Sequence, residues 1–311
     1  MSDRKSQLDG LAVVSLIACS FLWGVNGVAA KAVFGEVTPL VQATIRSFGG
    51  VALVWLWARF RGIPLFQRDD TLPGGLLAGS LFAAEFACAF IGLQYTSASR
   101  MVVFIYFSPF LVALGMPFIA HSERLSALQT AGLLLAFTGV ASAFAEGFTQ
   151  PAMGPQQWIG DSLGVLAAFL WAATTLSIRA TKLASASAEK TLAYQLGVSG
   201  VLLGLAALWH GDAWPQRLSA LAIGSLAFQV VVVVFASYLL WFWLVRHYPA
   251  TRLAAFTLLT PVLGLMMGVV LLGEPITTRL LLALAGVTLG MMLVNRQPRQ
   301  LRMRLTNEVV E

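Results

Sequence analysis

Two ionisable residues, Glu85 and Arg46, lie inside long apolar stretches of the sequence. A charge in the hydrocarbon of a bilayer is costly, so each residue is a functional candidate by default. Glu85 could bind the ammonium group of a substrate or carry a coupling proton, and Arg46 could balance its charge. Both are predicted to lie roughly 10–14 Å below the outer ends of their helices. A purely structural ion pair between them is therefore an open alternative.

Two tryptophans, Trp23 and Trp171, lie in the middle of apolar stretches, each three residues before a polar residue, Asn26 or Thr174. Residues three apart share a helix face. Such a face could stack on the apolar part of a small substrate and hold its polar part. Plain helix packing and interhelical hydrogen bonding are the alternatives. Weaker candidates of the same kind are Tyr106, Gln195, Gln229 and Tyr238.

Two prolines, Pro109 and Pro261, also fall inside apolar stretches. Each removes one backbone hydrogen bond and kinks a helix. Transporters use such interruptions as hinges, although membrane helices also tolerate proline without any role in motion. The sequence therefore predicts two candidate hinges.

The other seven tryptophans lie near the ends of predicted helices. Tryptophan is enriched at the membrane–water interface. We interpret these seven as an interfacial belt: Trp55, Trp57, Trp158, Trp209, Trp214, Trp241 and Trp243.

The amino-acid composition indicates which kind of secondary structure holds these residues. Hydrophobic residues make up 58% of the 311 residues and charged residues 11%, which requires lipid as the solvent. A spanning helix needs roughly 20 apolar residues, so the chain can hold about ten. Apolar runs bounded by charges, Pro or Gly predict an all-α membrane protein of ten transmembrane helices, near 11–31, 39–58, 73–94, 99–119, 125–144, 159–180, 189–209, 218–243, 251–272 and 276–294.

The sequence lacks the usual signatures of nucleotide, metal and nucleophile sites. It contains no Walker motif, no GxSxG and no histidine cluster with metal spacing. Although the net charge is +6, the basic residues flank apolar runs and indicate topology rather than nucleic-acid binding. We therefore expect no catalytic residue, metal, cofactor or nucleic-acid partner, and no enzyme activity.

Basic residues are distributed unequally between the two predicted sides of the membrane. With the N-terminus in the cytoplasm, fifteen of the twenty Lys and Arg residues lie inside, four lie outside, and Arg46 lies within a helix. This excess follows the positive-inside rule. Both termini are therefore predicted to be cytoplasmic.

The two halves of the sequence repeat with an offset near 150 residues. Phe21-Leu22-Trp23 recurs as Phe169-Leu170-Trp171, and the segment 100–109 aligns with 252–261. An odd number of helices per half inverts the second copy, as in many secondary transporters. The predicted organisation is two inverted five-helix repeats, at 1–145 and 159–295, with a connecting loop at 146–158 and a basic cytoplasmic tail at 296–311.

Several short motifs follow one another along the chain: Phe21-Leu22-Trp23-Gly24, Pro39 with Arg46, Glu85 to Ala98, Pro109, Glu123-Arg124-Leu125-Ser126, Phe169-Leu170-Trp171, Pro261 and Leu272-Gly273-Glu274. Their order resembles the drug/metabolite transporter superfamily, and within it the ten-helix EamA-type exporters. The resemblance covers nearly the whole chain. It implies a central cavity lined by helices 1 to 4 and 6 to 9, and export of amino acids or similar metabolites from a bacterial cytoplasm.

The second half departs from two-fold symmetry, because Gln195 stands where Arg46 would repeat and Leu258 where Tyr106 would. Polar contacts in the site are therefore not expected to be symmetric.

The leading interpretation is a secondary transporter that exports amino acids or related small metabolites by alternating access around a midplane cavity. It is expected in the bacterial inner membrane, as a monomer or homodimer with a small-molecule substrate. Three alternatives are a carrier of nucleotide sugars or phosphorylated metabolites, a membrane-embedded enzyme acting on lipid-linked substrates, and a passive channel. A phosphorylated cargo needs several basic residues facing the cavity, whereas the sequence offers only Arg46.

Overall fold

A computed structural model describes residues 5, 7–96, 98–143, 145, 148, 154–272 and 278–296. Glu274 and nearly all of the predicted tail lie outside these residues. The described chain contains helices and turns and no β-strand. Its α-helices, in chain order, are α1 (Gly10–Lys31), α2 (Pro39–Arg61), α3 (Leu72–Gly92), α4 (Ala98–Ile105), α5 (Ser108–Ile119), α6 (Ala127–Ala143), α7 (Gln157–Ala180), α8 (Ala188–His210), α9 (Ala220–Ala227), α10 (Tyr238–His247), α11 (Ala250–Phe256), α12 (Leu259–Leu272) and α13 (Thr278–Val294).

Seven segments of the described chain are long and apolar enough to cross a membrane. Three further apolar helices are shorter, at Ala127–Ser142, Ala250–Gly264 and Leu281–Val294. The all-helical membrane class predicted from composition is confirmed. The seven long segments are Gly10–Ala30, Pro39–Arg61, Leu72–Gly92, Arg100–Ile119, Gln157–Ala180, Ala188–His210 and Ala220–His247.

Two predicted helices are broken rather than continuous. The segment predicted at 99–119 divides into α4 and α5 at Tyr106, and the one at 251–272 divides into α11 and α12 at Thr257. The cause is the proline that follows, Pro109 or Pro261. A proline lacks an N–H, and its ring collides with the carbonyl group four residues earlier. The breaks therefore lie within a turn of that carbonyl group, before each proline.

The segment predicted at 218–243 is longer than expected and irregular. It runs from α9 through a π-helical stretch, Phe228–Ser237, into α10 and ends at His247. A π-helix is rare and is found preferentially at functional sites. The extra length places the residues near Tyr238 well inside the helix rather than at its end.

Small residues allow the closest helix pairs to form. A Cβ atom on Gly290 of α13 would lie 2.7 Å from the backbone nitrogen of Ala136 in α6. A Cβ atom on Gly24 of α1 would lie 2.9 Å from the backbone nitrogen of Gly264 in α12. Such contacts bring helix backbones together in membranes. Helices α2 and α8, and α3 and α7, also pack against each other and enclose the centre of the bundle.

Candidate functional site

A cavity of about 300 Å³ lies at the centre of the bundle. Its walls come from α1, α3, α4, α7, α8 and α10, together with Tyr106 at the break between α4 and α5. Helices from both sides of the connection at 146–158 therefore contribute. A volume of this size suits a small metabolite.

The cavity walls are mainly aromatic. On one side, the ring centroid of Trp23 lies 6.0 Å from that of Tyr238 and 5.4 Å from that of Trp241, both edge to face. On the opposite side, the rings of Tyr106 and Trp171 meet edge to face at 5.6 Å. Edge-to-face contacts are a favoured arrangement of aromatic pairs. They fix the rings and leave apolar faces for a cargo.

Helix α3 adds a row of phenylalanines and Glu85, the one acidic residue among the described residues that line the cavity. Phe82 and Phe86 lie on the same wall as Glu85, with their ring centroids 4.7 Å apart. Phe82 also meets Tyr238 at 6.4 Å, which joins this row to the aromatic group around Trp23. Glu85 therefore shares its wall with phenylalanine rings, and no ion pair involving it occurs among the described residues.

Several polar groups of the site are already bonded within the protein. The indole N–H of Trp23 donates to Ser237 Oγ at 2.8 Å. The hydroxyl of Thr174 donates to the carbonyl of Leu170 at 2.9 Å, one turn earlier in its own helix. Gln195 also lines the cavity, and its buried Oε1 has no hydrogen-bond partner in the described part of the chain.

Arg46 lies behind the cavity wall rather than on it. It is 6% exposed, its Nη2 donates to Tyr238 Oη at 3.1 Å, and its guanidinium group packs over the Phe86 ring at 5.4 Å from the centroid. Within the described chain, no ion pair joins Arg46 to Glu85, so the direct pair considered from the sequence does not form. Tyr238 and Phe86 separate the guanidinium group from the cavity.

The structure brings together seven of the predicted site residues: Trp23, Glu85, Tyr106, Trp171, Thr174, Gln195 and Tyr238. Asn26 is not among the lining residues. It is short and lies about one turn from Trp23, toward the end of α1, and its buried Oδ1 has no partner among the described residues. Pro109 and Pro261 do not line the cavity either, but they determine the breaks next to it.

The assignment of Trp241 to the interfacial belt is wrong. The helix continues to His247, so Trp241 lies inside it and lines the cavity beside Phe242. Sequence reasoning also missed Phe82, Phe86 and Phe90. Their four-residue spacing puts them along one side of α3, and that pattern could have identified them.

Ionic contacts join helix ends on both sides of the bundle. Arg100 in α4 bonds to Asp161 in α7, with its Nε 3.0 Å from Oδ1. At the opposite end, Lys190 of α8 donates to Asp69 in the loop after α2 at 2.8 Å. This hydrogen bond lowers the pKa of Asp69 to about 2. Because the pKa is depressed, the contact stabilises the fold above the ordinary carboxyl pKa and is lost as the pH falls toward 2.

A second ion pair, between Glu123 and Arg179, is buried at the same end as Lys190. Glu123 also accepts a hydrogen bond from the backbone N–H of Thr251 at the start of α11. Removing one partner of a buried pair leaves an uncompensated charge. Glu123, which follows α5, therefore links α7 through Arg179 and α11 through Thr251.

The EamA-like transporter family matches two segments of the chain, residues 10–145 and 158–296. The chain belongs to this family. Within the described residues, no group of three or more His, Cys, Asp or Glu side chains is arranged to hold a metal ion.

Several relatives match nearly end to end. The uncharacterized transporter YvbV of Bacillus subtilis is 29% identical over 279 residues, covering 89% of each chain. A probable amino-acid metabolite efflux pump of Salmonella typhimurium is 26% identical over 298 residues, covering 92% of this chain and 93% of the pump. The corresponding pump of Escherichia coli is 24% identical over 287 residues, covering 88% and 89%. These relatives are named as transporters or pumps, and the chain is a transporter rather than an enzyme.

A solved crystal structure has the same fold. It matches with a TM-score of 0.78 at 18% sequence identity, covering 90% of this chain and 96% of the other. At that identity the likeness concerns the fold alone.

Proposed function

We propose that the protein is a secondary transporter that exports amino acids or related small metabolites by alternating access around the central cavity. The observation that carries this proposal is the cavity itself, which is enclosed by helices from both halves of the chain and lined by aromatic rings and one carboxylate. Two relatives named as probable amino-acid metabolite efflux pumps support both the cargo class and the direction of transport.

Alternating access requires two halves that can move relative to each other. We propose ten transmembrane segments in two inverted five-helix repeats, 1–145 and 159–295, joined by the loop 146–158 and followed by the tail at 296–311. The two separate family matches support this division. The helix breaks at Tyr106 and Thr257 also lie about 150 residues apart, which is the offset of the sequence repeat. Pro109 and Pro261 would act as hinges at these equivalent positions.

We assign the protein to a bacterial inner membrane with both termini in the cytoplasm. The bacterial relatives support the membrane, and the excess of basic residues on one predicted side supports the orientation. In this orientation, the contact between Lys190 and Asp69 lies on the cytoplasmic side. The contact between Arg100 and Asp161 lies on the outer side. In alternating access, the cavity would open first toward one of these two sides and then toward the other.

The cavity chemistry does not favour nucleotide sugars or phosphorylated metabolites. Phosphate recognition relies on Arg, Lys or backbone N–H groups. No described residue that lines the cavity is basic, and Arg46 lies behind Tyr238 and Phe86. A small cargo with an apolar group fits these walls better.

The test is counterflow of a panel of radiolabelled amino acids into liposomes that contain the purified protein. We expect saturable uptake of some members, weakened in Trp23→Ala because the ring forms part of the cavity wall. Trp209→Ala is the matched control, because that indole is 95% exposed at the end of α8. It should transport as the wild type does.

Two results would count against the proposal. Uptake that rises linearly with concentration would indicate a channel. Equal loss of uptake in Trp23→Ala and Trp209→Ala, with both proteins folded, would place the cargo outside the cavity.

A further inference from the structure

The described residues that line the cavity offer negative charge and negative ring faces, and no positive charge. Nine of the sixteen described residues that line it are aromatic, and Glu85 is the one charged residue among these sixteen. Aromatic ring faces carry negative electrostatic potential and attract cations, with trimethylammonium groups as a well-known ligand class. A carboxylate among ring faces therefore forms a site for a positive charge that is attached to an apolar group.

Three of the hydrogen-bonding groups on the cavity wall have their donors occupied within the protein. The hydroxyls of Thr174 and Thr175 donate to carbonyls of their own helix, at 2.9 and 3.3 Å. What they can still offer a cargo is acceptor lone pairs, which suit an ammonium N–H. The indole N–H of Trp23 is likewise occupied by Ser237. These three groups offer no donor to a cargo carboxylate.

Among the described residues that line the cavity, none is a basic partner for the carboxylate of an amino acid. The nearby guanidinium group, Arg46, is bonded to Tyr238 and covered by Phe86. Reaching it would require displacement of one of these rings. A charged group that enters a desolvated site without a partner loses binding energy. The amide of Gln195 and the hydroxyl of Tyr238 also line the cavity and can donate to a carboxylate, but both are neutral and do not offset its charge. A zwitterion would therefore bind less well than the same molecule without its carboxylate.

We propose, building on the transport function above, that the cavity selects cargo with a net positive charge and an aromatic or branched apolar group. Amines and quaternary ammonium ions are preferred to zwitterionic amino acids. Glu85 neutralises the cation, while the rings of Trp23, Trp171 and Tyr238 contact its apolar part. Amino-acid derivatives that lack a free carboxylate belong to the preferred class.

The experiment compares three ligands of similar shape by calorimetry on the purified full-length protein. Benzyltrimethylammonium is a permanent cation, neopentylbenzene is its neutral isostere, and phenylalanine is a zwitterion with the same ring. We expect the cation to bind at least ten-fold more tightly than either of the others. This comparison needs no variant, so it tests the proposal even if substitutions in the cavity impair folding.

Glu85→Gln keeps the shape of the side chain and removes its charge. We expect it to weaken binding of the cation roughly 10- to 100-fold and to leave binding of the neutral isostere unchanged. Glu36→Gln is the matched control, because that carboxylate accepts hydrogen bonds from Ser219 outside the cavity. It should bind all three ligands as the wild type does.

Failure of this proposal differs from failure of the transport function. Phenylalanine binding as tightly as the cation, or cation binding that is unaffected by Glu85→Gln, would overturn the charge selectivity while saturable amino-acid uptake upheld the transporter. Phenylalanine binding that is weakened by Arg46→Gln would show that Arg46 serves the cargo, and would also overturn the proposal. Absence of both binding and uptake for every ligand would overturn both.

Discussion

Helices α1 and α12 approach each other closely at Gly24 and Gly264, next to the cavity, and the two glycines should tolerate an added methyl group differently. A Cβ atom on Gly24 would lie 2.9 Å from the Gly264 nitrogen and 3.2 Å from the Thr260 carbonyl oxygen, both in backbone that cannot rotate away. A Cβ atom on Gly264 would meet Gly24 only at 3.7 Å, an ordinary contact distance. Gly24→Ala must therefore push α1 and α12 apart by about 0.5 Å. Gly264→Ala fits without movement.

The difference in the free energy of unfolding between Gly24→Ala and Gly264→Ala measures the cost of overpacking alone. Replacing Gly by Ala favours a helix by about 1 kcal/mol, and that gain is common to both. Overpacking costs about 1–3 kcal/mol and applies only to Gly24→Ala. We expect the free energy of unfolding of Gly24→Ala to be lower than that of Gly264→Ala by this amount.

Equilibrium unfolding of both purified variants in the same mixed micelles measures the difference. The movement of α1 should also displace Trp23, so uptake should fall in Gly24→Ala and stay near the wild-type rate in Gly264→Ala. Equal stability of the two variants, or lower stability of Gly264→Ala, would refute the close approach of α1 and α12.

Two other contacts give predictions of the same kind. Gly290→Ala should lower the thermal midpoint of unfolding because its Cβ atom would lie 2.7 Å from the backbone nitrogen of Ala136. Gly224→Ala should not lower it, because no described atom outside its own helix lies within 4 Å of the added Cβ atom. Similar midpoints for the two variants would contradict the packing of α6 on α13. The Lys190 contact lowers the pKa of Asp69 to about 2, so its stabilisation is present above about pH 4 and is lost as the pH falls toward 2. Thermal unfolding at pH 6 and pH 3 should therefore show a larger loss in wild type than in Lys190→Gln, and parallel losses would count against this contact.

Most of the helices could be predicted from the sequence because the apolar runs are long and are bounded by charges. The broken helices could not be predicted in full. Pro109 and Pro261 predicted kinks, but whether a proline kinks a membrane helix or divides it depends on how neighbouring helices satisfy the freed backbone groups. The π-helical stretch at 228–237 has no local signal, since its run of valines suits any buried segment.

The candidate site could be predicted in part. The duplicated Trp23 and Trp171 and the isolated charge of Glu85 identified residues that line the cavity. The position of Arg46 behind the wall could not be foreseen, because residues at equal depth on neighbouring helices can face different ways. The error at Trp241 followed from ending its helix four residues too early.

We expect cargo to bind in the aromatic cavity between the two halves. The most direct test is an experimentally determined structure of the protein with a ligand that competes in the counterflow assay. We predict ligand density between Trp23 and Trp171, with contacts from α3 and α10. Density confined to a surface groove, with the cavity empty, would contradict the account.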